Sequence, residues 1–494
     1  MAAKRLEPLS PAKLRRVFDP QKVPFETSDQ APECLEAVVG QARAKEALEF
    51  GLAMADMDYH VFVDGPQHTG KTHLVRTFVE RIAQDKAPPP DWVYVHNFRD
   101  PDQPLALSFP PGEGRSFAKA MRRLVDELKA QVPEIFESEG YARKKEELQA
   151  EFKQRRSGIF QELDKETREQ GYVLKFEPTG IMVAPADEDG QPLPESRIRE
   201  MDEAERAELR KKSDAIQAKV TEALRAISGF EKEMNRRLAE LDREMVMSAV
   251  GHLFDDLVQS HGGQEKVRDH LDQLREHVAD NYSLFQKKEQ PNLPFAVGGQ
   301  EEDLTRFEVN LFVDNSRRHG APVVVESHPT FPNLFGRIER QAQFGALTTN
   351  FTLLKSGSLH KANGGYLVIP VLELLRMYLP WEGLKRALRN REAFMEDPME
   401  QVGFMITRTL RPQPIPLDLK VVLVGPTFLY NLLNAFDPQF PKLFKVRAQM
   451  AGRMEWAQAE AGELFSHLCQ LTQRKKLMPL HRGAAARLAE LAAE

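Results

Sequence analysis

Gly65-Pro66-Gln67-His68-Thr69-Gly70-Lys71-Thr72 fits the pattern G-x-x-x-x-G-K-[ST], and it constrains the fold more than any other feature of the chain. The apolar run Val61-Phe62-Val63-Asp64 precedes it, and apolar residues at 74, 75, 78, 79 and 82 follow with helical spacing. The reading is strand, glycine-bounded loop, helix. Amides of such a loop point inward at a phosphate, and the helix N-terminus adds its positive end. All eight residues are therefore candidate nucleotide-binding positions for ATP or ADP. Lys71 would place a point charge on the β- and γ-phosphates, and the Thr72 hydroxyl would hold Mg²⁺. His68 is bulky where related loops carry a small residue.

The rest of the chain alternates between two periodicities. Trp92-Val95 and Leu105-Phe109 read as short strands divided by turn residues at Asp100-Pro101-Asp102. From about Ser116 the period is helical. Phe117, Met121, Leu124, Leu128 and Val132 form one apolar stripe. Ile216, Val220, Leu224, Ile227, Phe230, Met234, Leu238, Leu241 and Met245 form another, the seam of a long amphipathic or coiled-coil helix. The first stripe is available to pack against the second in an intramolecular arm. Gly171-Phe176 and Ile181-Ala184 predict a small hairpin, and Asp187 to Glu195 a loop.

After about Asn292 apolar runs return at Phe307-Val313, Pro322-Glu326, Gly365-Ile369 and Leu419-Gly425, with a helix near Trp381 to Leu388. The simplest assembly joins these strands with Val61-Asp64 in one mostly parallel sheet. The fold class is then α/β, a P-loop core interrupted by a long helical insertion and followed by a partial helical lid. The expected division is 1–114 and 292–452 for the two parts of the core, 115–291 for the insertion and 453–494 for the lid. The lid closes without a capping signal, which reads as a truncation.

Composition excludes other classes. The 494 residues are 41% hydrophobic and 29% charged, enough for roughly three domains. No run of about 18 uncharged apolar residues and no signal-type N-terminus occurs, so membrane spanning and secretion are not expected. Two cysteines, Cys34 and Cys469, rule out a disulfide framework or a thiolate zinc site and suit the cytoplasm. A net charge of -6 from 68 basic and 74 acidic residues argues against a nucleic-acid motor.

Hydrolysis needs a second acid at the end of a neighbouring strand. The strand Tyr366-Ile369 ends in Pro370-Val371 instead. Glu373 reaches a metal only if the following helix starts early, and its simpler reading is a first-turn carboxylate favoured by the helix macrodipole.

The run Glu36-Ala37-Val38-Val39-Gly40-Gln41 to Leu48, the loop Gly65–Thr72, Asn333-Leu334-Phe335-Gly336-Arg337-Ile338-Glu339, and Ser358 to Leu367 resemble the AAA+ part of Lon-like ATP-dependent serine proteases. The similarity is to the LonB/LonC-like branch, endopeptidase La type, in which a helical domain interrupts the ATPase core. This resemblance implies a homo-hexameric ring that grips unfolded polypeptide and feeds it to a C-terminal Ser-Lys protease domain. It makes Leu334-Phe335-Gly336 the pore-facing loop, with Phe335 gripping the substrate. Thr427, after Gly425-Pro426, stands where a polar sensor residue is expected. No glycine-proline-serine-alanine-glycine type motif occurs, so these residues are not expected to cleave peptide bonds. Pro441-Lys442 stands where a subunit-bridging arginine is common. Some LonC-like members are regarded as lacking ATPase activity. The alternative reading is accordingly a hydrolysis-deficient holding or gating module.

Overall fold

The computed structural model describes residues 9–10, 17–30, 40–54, 56, 58–66, 71–177, 180–187, 191–194, 197–198, 201–286, 304–343, 346–396, 410–453 and 458–493. The chain forms two compact units, one from Met1–Ala118 with Glu308–Glu494 and the other from Lys119–Phe307. Among the described residues no helix is long and apolar enough to cross a membrane.

The first unit is built on β1 (Val61–Asp64), whose four residues are all buried. Five strands lie in the order β16 (Val446–Gln449), β1, β15 (Lys420–Gly425), β12 (Tyr366–Pro370) and β7 (Val323–Val325). All four pairings are parallel. Alternate side chains enter opposite layers, as a strand's period of two requires. Phe62, Leu367, Ile369, Val421 and Leu423 meet the helices Tyr378–Asn390 and Thr427–Phe436 on one face. Val61, Val63, Val368, Val422 and Val424 meet the helices Ala42–Ala53 and Lys71–Gln84 on the other. Burial on both faces explains why these strands read as unbroken apolar runs.

Two strand expectations are corrected. The run Phe307-Val313 does not join the parallel sheet: β6 (Val309–Val313) pairs antiparallel with β2 (Asp91–Val95), which also pairs with β3 (Leu105–Phe109). Its polar Asn310 donates to the carbonyls of Phe351 and Leu354 at 2.8 and 3.0 Å, so one side of the strand serves a polar role that a doubly buried strand excludes. The fifth parallel strand, β16, is not among the expected strands: it alternates apolar and polar over only four residues, too short a run to stand out in the sequence.

Between β7 and β12 the backbone turns through β8 (Arg337–Ile338) paired with β11 (Leu354–Lys355), and through the hairpin β9 (Gln341–Gln343) to β10 (Ala346–Thr348). Gly364 enters β12 at φ +79°, where an added Cβ would stand 2.3 Å from Cβ of Pro89. A side chain there is excluded by backbone conformation and by space. β13 (Glu392–Ala393) and β14 (Ile415–Pro416) close the far side.

The helices Gln458–Arg474 and Arg482–Ala493 pack on the N-terminal segment. Phe18, Val23 and Phe25 share a buried cluster with Phe465, Cys469, Ala485, Ala486 and Ala489. The Phe18 amide donates to the buried Glu490 carboxylate at 3.0 Å, and Thr27 bridges to His481.

The second unit is dominated by a 59-residue helix, Glu203–His261, started by a capping box between Asp202 and Glu205. The predicted hairpin is present as β4 (Tyr172–Glu177) and β5 (Gly180–Pro185). The stripe's intramolecular partner is corrected: the helix Glu139–Glu169 packs along Glu203–His261, with Glu265–Asp280 against the same helix. Lys219 pairs with Glu166 at 2.7 Å across that contact. Ile216, Val220 and Ile227 are buried, whereas Leu224 is 41% exposed. The hydroxyls of Tyr141 and Tyr282 both donate to Asp242, at 2.8 and 2.6 Å, which joins three segments of this unit. Burial, joined by the hydrogen bond to Asp242 and its charge, pushes both phenols up, Tyr282 to about 12.

Candidate nucleotide site

β1 delivers Gly65 and Pro66 to the carboxyl edge of the parallel sheet, and the helix that follows starts at Lys71. Gln67, His68, Thr69 and Gly70 lie outside the described residues. The half-buried Lys71 ammonium donates to the Gly65 carbonyl at 3.0 Å and to the Pro66 carbonyl. Burial holds its pKa below the ordinary lysine value, and the charge of Asp64 opposes that shift. Thr72 is exposed on the first helical turn.

The base of the loop is walled by the segment after β16. A Cβ on Gly65 would stand 2.9 Å from Cβ of Met450, and the Met450 amide donates to the Asp64 carbonyl at 2.7 Å. Ala451 and the Gln41 amide exchange two hydrogen bonds, at 2.8 and 3.1 Å. This brings Gln41 of the Gly40-Gln41 motif beside the loop, while Glu36 to Val39 lie outside the described residues. The Gly40 amide donates to Glu463 of the first lid helix at 2.8 Å.

Registers place the other candidates on the same sheet edge. Asp64 stands opposite Gly425, and Pro370 opposite Val424. Thr427 follows β15 as the first residue of the helix Thr427–Phe436 and is half-buried. The helix after β12 does start early, at Val371, but Glu373 pairs with Arg376 at 2.9 Å. Val371 is fully buried, with Cγ1 2.2 Å from where a Cβ on Gly425 would fall. The absence of an acid at 370 and 371 therefore goes with a packed strand end. Lys442 is exposed in the short helix Phe440–Leu443.

Leu334-Phe335-Gly336 is corrected as a gripping loop. Leu334 and Phe335 are 0% exposed, and Phe335 stacks on Phe394 with ring centroids 4.8 Å apart. Gly336 turns at φ +81°, where an added Cβ would stand 2.3 Å from the Lys355 carbonyl. These residues anchor a core and cannot hold a passing chain in this conformation. The exposed element nearby is the β9–β10 hairpin, with Leu347 66% exposed.

Sequence reasoning missed the charge pair beneath the loop. Asp64 is fully buried, and Arg447 of β16 grips both its oxygens, Nε to Oδ1 at 3.1 Å and Nη2 to Oδ2 at 2.7 Å. The Arg447 guanidinium also lies over the Tyr430 ring, 4.3 Å from its centroid. The signal available was an acid closing an otherwise apolar buried strand.

These residues fit a phosphate group: a cation at a helix start, a glycine packed against backbone, and the adjacent buried Asp64 carboxylate already paired with Arg447. They fit a metal less completely. Thr72 offers a hydroxyl, but among the described residues no group of three His, Cys, Asp or Glu side chains could hold a metal ion.

A five-stranded parallel sheet with a strand–loop–helix phosphate motif and a helical insertion defines an α/β P-loop module of the AAA+ class. Residues 319–451 match the family described as LonB-like, AAA domain, and residues 91–124 match the Lon-like LonC helical domain. The chain carries a Lon-like AAA+ module. No curated protein matches it. Among solved structures, the crystal structure of NtrX from Brucella abortus aligns at 16% identity with a TM-score of 0.21. That alignment spans 32% of each chain.

Proposed function

We propose that this chain is the ATP- or ADP-binding AAA+ module of a Lon-like ATP-dependent protease system, acting as a homo-hexamer in the cytoplasm. It engages unfolded polypeptide and passes it to a serine protease domain that residues 1–494 do not contain. Residues 1–114 and 292–452 form its nucleotide core, 115–291 the arm that meets substrate, and 453–494 the lid. The observation that carries the reading is Lys71, at the first turn of the helix after β1, with its ammonium turned into the base of the loop. Lys71 and the loop amides would hold the phosphates, and Thr72 the Mg²⁺, whose chemistry is to neutralise phosphate charge. Thr427 is the candidate sensor at the end of β15.

A second reading, a LonC-like holding or gating module that binds nucleotide without turnover, is favoured by the end of β12. Pro370 and the buried Val371 offer no base, and Glu373 is held by Arg376. Calorimetric titration with ATP and ADP in Mg²⁺, beside Lys71→Ala and a phosphate-release assay, tests both. Binding that is lost in Lys71→Ala supports the module, and phosphate release separates the two readings. No binding by the native chain overturns both.

A further inference from the structure

We propose that Arg447 is a positioning residue for nucleotide phosphate: by neutralising Asp64 it keeps the charge of Lys71 available to the loop Gly65–Thr72. This rests on the nucleotide-binding reading above. Asp64 is the last residue of β1, and its main chain continues directly into Gly65. An uncompensated carboxylate at that position opposes a phosphate in two ways. It repels the anion, and it competes for the ammonium of Lys71, on which its charge already acts.

The structure answers both with one side chain. Arg447 reaches from the neighbouring strand β16 and covers both carboxylate oxygens in a bidentate fork, the geometry that suits guanidinium better than ammonium. Its other contact is the Tyr430 ring, on the helix that starts at Thr427. The fork is thus held between the phosphate-loop strand and the helix that follows β15. The hydrogen bond to Asp64 raises the Arg447 pKa above its ordinary value, as a committed ion pair requires. Asp64 and Arg447 are 383 positions apart, so the pair exists only through the adjacency of β1 and β16.

The test is calorimetric titration with Mg-ATP and Mg-ADP of the native chain, Lys71→Ala, Arg447→Met, Asp64→Asn and the double variant Asp64→Asn/Arg447→Met, with Tm measured for each. Arg447→Met leaves the Asp64 carboxylate unpaired beside the loop, where it repels the phosphate and draws on Lys71, and weakens binding by about tenfold or more. Asp64→Asn binds at least as tightly as the native chain. The double variant, which also lacks the salt bridge, returns to within about threefold of native affinity. A merely structural brace predicts the opposite, since the double variant would then be as weak as Arg447→Met. If Arg447→Met does not fold, Arg447→Lys carries the test: a single ammonium does not reproduce the two-oxygen fork, so it weakens binding by about threefold or more and adding Asp64→Asn restores it, whereas native affinity in a folded Arg447→Lys refutes the inference. Binding lost in Lys71→Ala with native affinity in Arg447→Met refutes this inference alone. No native binding, or native binding in Lys71→Ala, refutes the loop reading and the inference with it.

Discussion

Two buried histidines should make the first unit sensitive to mild acid. Each Nδ1 accepts a backbone N–H, His60 from Val421 at 3.2 Å and His360 from Gly357 at 3.4 Å. Protonation would set N–H against N–H inside the core. Burial pushes both from 6.5 down to about 3, aided in His60 by Lys420 and in His360 by Lys361. In the unfolded chain they titrate near 6.5, so the unfolded state takes up protons first as pH falls. Their contribution is complete above about pH 6.5 and is lost as pH drops from there toward 3. At pH 5 the loss is about 2 kcal/mol per histidine, or about 4 for both, against a typical stability of about 5–15 kcal/mol. No tryptophan occurs between residues 119 and 307, and Trp92 and Trp381 lie in the first unit, so urea melts followed by tryptophan fluorescence report the first unit. Between pH 5.5 and 3.5 the native chain should lose stability about 2.7 kcal/mol per pH unit faster than His60→Asn/His360→Asn. The variant is less stable throughout, and the slope is the quantity compared. Equal slopes would refute the reasoning.

Phe335→Ala should cost about 3–5 kcal/mol, the range for a buried aromatic, read as a lower urea midpoint at unchanged m. A surface gripping residue would leave the midpoint where it was. Val371→Glu should destabilise the first unit and release no phosphate, because the new carboxylate enters a packed site against Gly425; phosphate release with native Tm would overturn this. Replacing Phe18 and Phe25 with Ala should uncover the buried Cys469, read as faster thiol labelling of its peptide by mass spectrometry. Unchanged labelling would show that the N-terminal segment does not seal the lid helices.

What could be read in the chain was what is local. The strand, glycine loop and helix from Val61 to Ile82 announce themselves by spacing, because each residue's partners lie within a few positions. The doubly buried runs at β12 and β15, the hairpin β4–β5 and the helical character of the second unit were legible for the same reason. Choices among distant partners were not. An apolar stretch such as 307–313 specifies a strand but not which edge it joins, and Asn310 decided that by finding carbonyls at Phe351 and Leu354. The family resemblance puts Phe335 in a pore-facing loop, whereas its aromatic character alone favours a core position, and the ring stacks on Phe394 in the core. The candidate site divides in the same way. Lys71 and Thr72 follow from the motif, whereas the neutralisation of Asp64 needed β16 beside β1, and the sealing of the lid helices needed Phe18 and Phe25 from the opposite end of the chain. Local periodicity therefore determined the elements and the phosphate loop. The pairing of buried charges, strand edges and apolar faces far apart in sequence was decided only when the chain closed on itself, because desolvation makes each of these groups take the partner that geometry supplies.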